Sequence, residues 1–304
     1  MRKRCAYTLV EVLLAVSLAA GVVGGALALA VRAADLWQST AERLEVERAG
    51  QIVLDQLESD LQGWVAFNDS RVGLSAEIQA DQPATGGHSG MLNEQWSPVI
   101  GAVGKPHAAD GSLRLEPELA QCRFGQSGVW LRFFASTGAT SSEGSGAVAV
   151  SYQLVRRLPE GRAPVYQLFR SVVPASVCFE RGYTLNGSPP YGAPEDGVED
   201  LRCPRPDAVL AENVLDFGFR LLVETGAAAP SILFPDEGVL RFEASSAAPH
   251  PSHAVVFVRI ATRGGARRLQ RIESVPGAGA AWWPVAEDGS RVFTRRIRLP
   301  ESGP

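Results

Sequence analysis

One carboxylate stands directly in front of a long apolar segment near the N-terminus. Glu11 is followed by Val12–Val31, a run of 20 residues without an ionisable side chain. As a helix this run spans about 30 Å, the thickness of the hydrocarbon core of a bilayer. An unpaired carboxylate at membrane depth costs several kcal/mol unless it is neutralised. The position of Glu11 therefore calls for a positive partner.

Charged residues on the two sides of the apolar run differ in sign. Arg2, Lys3 and Arg4 precede the run, whereas the first acidic residues after it are Asp35 and Glu42. Because basic flanks stay on the cytoplasmic side, this asymmetry predicts a single-pass protein whose N-terminus is cytoplasmic and whose bulk is exported.

Three interpretations of the N-terminal segment compete. A cleaved secretory signal has a shorter apolar region, although Ala28–Ala30 offers a small-residue cleavage site. A plain signal anchor accommodates the length of the run, but neither of these two interpretations accounts for Glu11. The third rests on the residues around Glu11.

The stretch CAYTLVEVLLA, residues 5–15, combines a small residue, an aromatic residue, Thr, two aliphatic residues and Glu. This pattern resembles the class III signal of type IV pilins and type II secretion pseudopilins. The resemblance implies that a prepilin peptidase cuts between Ala6 and Tyr7 and that the new amine of Tyr7 is methylated. Two residues depart from the family, which most often has Gly before the cut and Phe after it.

The same resemblance implies a role for Glu11, which falls on the fifth mature position. In the family this Glu engages the N-terminal amine of a neighbouring subunit and sets register in a filament. The implied partners are other pilin or pseudopilin subunits, contacted through the N-terminal helix, and the prepilin peptidase. The implied location is the inner membrane, with a periplasmic head domain.

Later segments resemble the large minor members of the family, the minor pseudopilin J and the minor pilin W. They include QIVLDQLESDLQ at 51–62 and a Leu-x-x-x-Val-x-x-Phe-x-Phe pattern, interpreted as a helix-to-strand turn. The residues of that pattern are Leu210, Val214, Phe217 and Phe219. The closing segment RVFTRRIRLP is similar to the terminal strand of pilin-like heads. Sequence alone does not choose between a secretion system and a pilus.

A second helical pattern follows the apolar run. Apolar residues recur at three- and four-residue steps, which predicts one helix from Thr8 to about Leu61 with an amphipathic second half. They are Trp37, Ala41, Leu44, Leu54, Leu57 and Leu61. Glu and Arg occupy the other face, and Gly50 interrupts the pattern at a cost of about 1 kcal/mol, which permits a bend.

From Gly63 onward the sequence predicts short strands between turns. The expected strands are 128–136, 147–157, 165–173, 214–224, 238–244, 253–263 and 268–274. Alternation of apolar and polar residues indicates an antiparallel sheet with one buried face, which the helix would cover. The predicted class is α+β, with a long N-terminal helix on an antiparallel sheet. The expected divisions are a leader at 1–6, a transmembrane half-helix at 7–33, an amphipathic half-helix at 34–62 and a β-rich head at 63–304.

Two segments, 69–112 and 179–207, are rich in Gly, Pro and Ser and read as irregular. Cys178 and Cys203 bracket the second, and in an oxidising compartment a disulfide between them would close a 26-residue loop. Free thiols, or a different pairing that involves Cys122, are equally open.

Further candidate sites are weaker. Several pseudopilins bind calcium through acidic loops, and this resemblance makes the acidic run at 195–200 a calcium candidate, although a solvated turn fits it better. Its acidic residues are Glu195, Asp196, Glu199 and Asp200. His250 and His253 have no further ligand at a suitable spacing, so a surface turn is the preferred interpretation. No cofactor is expected.

The composition and the absence of catalytic motifs narrow the range of functions expected for this chain. A net charge of −4 without a basic patch disfavours nucleic-acid binding. The chain has no G-x-S-x-G elbow, P-loop or HExxH motif and only four His, so nothing suggests an enzyme. The expected function is a minor pilin or pseudopilin that assembles with other subunits and takes part in a tip-initiating complex. The alternatives are a signal-anchored periplasmic binding domain that does not assemble and a secreted enzyme with an unusual leader.

Overall fold

The computed structural model divides the chain into two compact units, Met1–Glu45 and Val46–Pro304. The residues that it describes are 8–67, 69–78, 96–98, 129–136, 146–157, 165–183, 185, 208–224, 230–234, 241–245, 249–273 and 282–300.

The N-terminal helix α1 runs over Leu9–Gln62 and has 54 residues. The prediction of one helix from Thr8 to about Leu61 is therefore confirmed to within one residue at each end. The helix continues through Gly50. A Cβ on Gly50 would lie 2.7 Å from the ring of Phe293, so Gly50 allows a close approach of this ring to the helix.

The larger sheet is antiparallel, with strand order β6-β5-β4-β3-β1-β9, and β2 pairs with β4. Its strands are β1 (Leu74–Ile78), β2 (Trp96–Pro98), β3 (Val129–Ser136), β4 (Ala147–Arg157), β5 (Val165–Val173), β6 (Val209–Glu212) and β9 (Arg241–Ala244). Adjacent strands β3 and β4 are antiparallel neighbours.

The smaller sheet is also antiparallel, with strand order β11-β10-β7-β8. Its strands are β7 (Val214–Val223), β8 (Ser231–Phe234), β10 (His253–Ala261) and β11 (Ser290–Arg298). Three shorter helices complete the described elements, namely α2 (Ala175–Glu180), α3 (Arg263–Glu273) and α4 (Trp282–Asp288). The architecture is α+β, as predicted.

Five predicted strands are confirmed as β3, β4, β5, β7 and β10, and β9 lies within a sixth. The strand expected at 268–274 is wrong, because most of this segment belongs to α3. Ala266, Leu269 and Ile272 recur every three residues and pack on the core, which is one face of a helix rather than of a strand. The hydroxyl of Thr262 accepts the N–H of Gly265 at 3.0 Å and caps the helix start.

The helix-to-strand turn expected at Leu210–Val214 is also wrong. Leu210 lies in β6, so the turn joins two strands. Asn213 lies between β6 and β7 with φ 57°, a backbone region that Asn tolerates better than most residues. The segment 69–112, expected to be irregular, contains β1 and β2.

One core lies between the second part of α1 and the two sheets. Val53, Leu57 and Leu61 of α1 are fully buried and belong to the same hydrophobic cluster as residues of both sheets. Tyr152 of the larger sheet contacts Phe217 of the smaller sheet, with ring centroids 6.4 Å apart.

Burial on the central strands differs from the prediction of a single buried face. Seven of the eight residues of β3 are buried, and in β4 the polar residues Ser151 and Gln153 are buried on the face opposite Tyr152. Part of that second face packs on α2, since Cys178 joins Phe134 and Ala149 in a separate hydrophobic cluster.

Candidate functional site

Glu11 has a local partner that the sequence reading missed. The backbone N–H and the hydroxyl of Thr8 both donate to Glu11 Oε2, at 2.9 and 3.1 Å. In return the N–H of Glu11 donates to the Thr8 hydroxyl at 3.3 Å. This reciprocal arrangement is a capping box, and its signature is the Thr-x-x-Glu spacing itself. Ala6 and Tyr7 lie outside the described residues, so cleavage and methylation stay predictions.

The apolar run that follows Glu11 is exposed within its unit. An 18-residue window of α1 has a mean hydropathy of 2.4 and none of it is buried, so it is not the core helix of a globular unit. The segment is consistent with a membrane anchor. A signal sequence near an N-terminus passes the same test of length and composition.

The apolar stripe predicted along the second half of α1 divides into two parts. Leu54, Leu57 and Leu61 are buried in the core, but Trp37 and Leu44 are 78% and 61% exposed. The exposed residues belong to the unit that ends at Glu45 and the buried ones to the unit that begins at Val46. The stripe therefore serves intramolecular packing only in its C-terminal part.

A buried carboxylate fixes the end of α1 to the larger sheet. Asp60 receives two hydrogen bonds from Arg170, at 2.7 and 2.9 Å, and a further one from the Tyr152 hydroxyl. Gln56 donates to the same carboxylate at 3.0 Å. Burial, and then the negative charge of Asp60, raise the pKa of Tyr152 well above its usual value, so the phenol stays neutral and donates.

The charged face of α1 is covered as well. Arg295 of β11 donates to Asp55 at 2.6 Å and to Glu58 at 2.8 Å, and Arg291 pairs with Glu47. The hydrogen bond to Asp55 is the main reason why the pKa of Arg295 is raised above its usual value. Sequence analysis named no partner for this face, because no local spacing links α1 to a strand that lies 240 residues away.

The cysteine and calcium candidates fall mostly outside the described residues. Cys178 is fully buried, has no disulfide partner among the described residues, and donates its S–H to the carbonyl of Val173 at 3.5 Å. Burial raises its pKa to about 11. Cys122, Cys203 and the acidic run at 195–200 are not described, so the disulfide and the calcium site stay predictions.

The two His of the HPSH segment line an open cavity of about 520 Å³. His253 lies 3.3 Å from Glu224 and 3.1 Å from the Ser252 hydroxyl. The ring of His250 packs against Trp64, with centroids 4.8 Å apart, and burial lowers its pKa. Within the described part of the chain no three His, Cys, Asp or Glu side chains form a metal-binding group.

The described geometry is that of a pilin-like architecture. A long N-terminal helix begins with an apolar, exposed segment, and its C-terminal part packs on antiparallel sheets. Comparison with protein-family models, with curated proteins and with solved structures finds no match to this chain.

Proposed function

We propose that this chain is a minor pilin or pseudopilin, a non-enzymatic subunit that joins a filament of a type IV pilus or a type II secretion system. The observation that carries the proposal is Glu11, a carboxylate at the first turn of α1 directly before an exposed apolar run. Such a carboxylate gains most from a cation at membrane depth. The amine of Tyr7 released by cleavage after Ala6 is the cation that the resemblance supplies.

The pilin-like architecture supports the proposal. In a filament subunit the apolar half-helix must remain available to a membrane and to neighbouring helices, while the other half holds the head. The burial of α1 fits this division, since Val12 to Val31 have exposed side chains and the buried residues of the helix begin only at Val46. The charge asymmetry of the flanks supports a cytoplasmic N-terminus and an exported head, and the resemblance implies the inner membrane and the periplasm.

A second candidate is a signal-anchored periplasmic binding domain that does not assemble. The capping box favours it, because Thr8 already satisfies Glu11 Oε2 without a neighbouring subunit. In this case Glu11 only starts the helix. The cavity beside His250 and His253 would then be the place for a ligand.

The N-terminus of the protein extracted from membranes separates these candidates from a secreted product. Mass spectrometry is expected to find N-methyl-Tyr7. An N-terminus at Val31, just after Ala30, would rule out assembly through α1. An uncleaved Met1 would favour the plain anchor.

Two substitutions at Glu11 separate its charge from its capping role. Glu11→Leu removes both, whereas Glu11→Gln keeps an acceptor for the Thr8 N–H, since Gln also completes a capping box. We expect normal cleavage in both variants and loss of cross-linking to neighbouring subunits in both. If Glu11→Gln assembles as the wild type does, the carboxylate acts as a helix cap and the register role is wrong.

A further inference from the structure

The smaller sheet has one long edge. β11 is at the end of the strand order and, among the described strands, pairs only with β10. It has nine residues, whereas the other edge strands, β2, β6, β8 and β9, have three or four. Its register with β10 continues from Arg298 to Ser290 without a bulge. A long, regular edge strand is a template for pairing with a further strand.

The hydrogen-bond pattern shows which backbone groups lie on this edge. The N–H of Leu299 donates to Ser252 at 2.9 Å, so these two residues form a hydrogen-bonded pair. In an antiparallel ladder such pairs alternate with pairs that are not hydrogen-bonded. The odd-numbered residues of β11 therefore face β10. The backbone groups that point away from β10 belong to Val292, Thr294, Arg296 and Arg298, of which the last three are exposed and Val292 is partly exposed.

The charge of β11 selects the strand that can be added. β11 contains four Arg and no acidic residue. Arg291 and Arg295 point to the acidic face of α1, while Arg296 and Arg298 lie on the opposite face of the sheet. Antiparallel pairing of two copies of β11 would bring eight Arg side chains together, and like charges across strands are destabilising. A strand with acidic residues has the opposite effect.

Two open grooves flank the C-terminal end of this edge. One is the cavity of about 520 Å³, and the other has a volume of about 420 Å³ and is lined by Gln62 together with residues 298–300. Both grooves share Arg298, Leu299 and Pro300. In strand addition the backbone gives affinity and flanking grooves accept alternate side chains of the added strand.

We propose that β11 is a docking edge for an extended acidic segment of a partner protein, which adds a fifth strand to the smaller sheet. Acidic side chains of the added strand lie opposite Arg296 and Arg298. The assignment uses only residues after Val46 and holds whether or not α1 enters a membrane or a filament.

The test uses the full chain in detergent and the peptide Thr-Glu-Val-Glu-Val-Glu-Thr as the probe. Hydrogen exchange is expected to slow at the amides of Thr294 and Arg296 when the peptide is added. The same peptide with Lys in place of Glu is the charge control and is expected to give no protection. Absence of protection with the acidic peptide, or equal protection with the Lys peptide, overturns the proposal.

A matched pair of variants tests the backbone contact. Thr294→Pro removes an outward N–H without touching the ladder to β10, a position where an edge strand tolerates Pro. Thr294→Val keeps that N–H. Loss of one hydrogen bond is expected to weaken peptide binding about tenfold in the Pro variant relative to the Val variant. Equal peptide binding by the folded Pro and Val variants contradicts strand addition. If Thr294→Pro does not fold, Arg298→Glu provides the readout, since this variant must also weaken peptide binding.

Discussion

Replacement of Asp60 by Asn is expected to destabilise the unit that begins at Val46 by about 3 kcal/mol. The carboxylate accepts hydrogen bonds from Arg170, Tyr152 and Gln56 on both of its oxygens. Asn presents one oxygen and one NH₂ group, so at least one of these donors would face another donor. Removal of one partner of a buried ion pair typically costs about 3–5 kcal/mol, because the other charge remains buried. The side chains of Asp60 and Arg170 are 9% and 28% exposed, which places the cost at the lower end.

The assay is urea unfolding of the full chain in detergent, followed by tryptophan fluorescence, with thermal unfolding as a second measure. A loss of 3 kcal/mol corresponds to a decrease in Tm of about 6–12 °C for a unit of this size. The matched control is Asp55→Asn on the same helix. The Asp55 side chain is 67% exposed in its pair with Arg295, so its loss should cost less than about 1 kcal/mol.

A double-mutant cycle isolates the ion pair. Asp60→Leu combined with Arg170→Met is expected to be more stable than Asp60→Leu alone, because the double variant leaves no unpaired buried charge. The reasoning is refuted if Asp60→Asn costs no more than Asp55→Asn, or if the two substitutions in the double variant are simply additive.

Three further perturbations have defined outcomes. Because the pKa of Tyr152 is raised in the folded protein, the phenol contributes fully to stability below about pH 10, and this contribution decreases as the pH rises further. Tyr152→Phe should therefore flatten the dependence of the unfolding free energy on pH in alkali. Gly50→Ala gains about 1 kcal/mol of helix propensity but places a Cβ 2.7 Å from the Phe293 ring, and should destabilise by about 1 kcal/mol unless Phe293→Leu is added. The thiol of Cys178, with a pKa of about 11, should react with maleimide at pH 8 about a hundredfold more slowly in the folded than in the unfolded protein. A tryptic digest without reductant shows whether Cys178 is instead cross-linked to Cys203.

The sequence was sufficient for elements with a strong local pattern. The bounds of α1 and five strands followed from periodicity, because runs such as Val148–Leu154 alternate over their whole length. The prediction of a strand at 268–274 failed because this segment has too few apolar residues to distinguish a period of three from a period of two. Neither could a local pattern reveal that Ser151 and Gln153 are buried, since polar residues in a strand normally indicate solvent.

Side-chain contacts between residues far apart in the sequence could not be predicted from local patterns. The residues around Asp60 come from α1, β4 and β5, and only the register of the larger sheet brings them together. The capping box of Thr8 and Glu11 is different, because its three-residue spacing is a local signal that was available from the start.

The contacts between α1 and β11 have a consequence for the time course of folding. Arg295 hydrogen-bonds to Asp55 across 240 residues of sequence, and Phe293 packs on Gly50. During translation Gly50 and Asp55 are synthesised long before β11, so one side of the helix stays uncovered while the intervening strands are synthesised. Contacts of such high sequence separation slow folding, because the loop between their ends must be closed first. Fragments that end before Ser290 should therefore remain substrates for chaperones and proteases, and synthesis of β11 is the step that allows this unit to reach its native state.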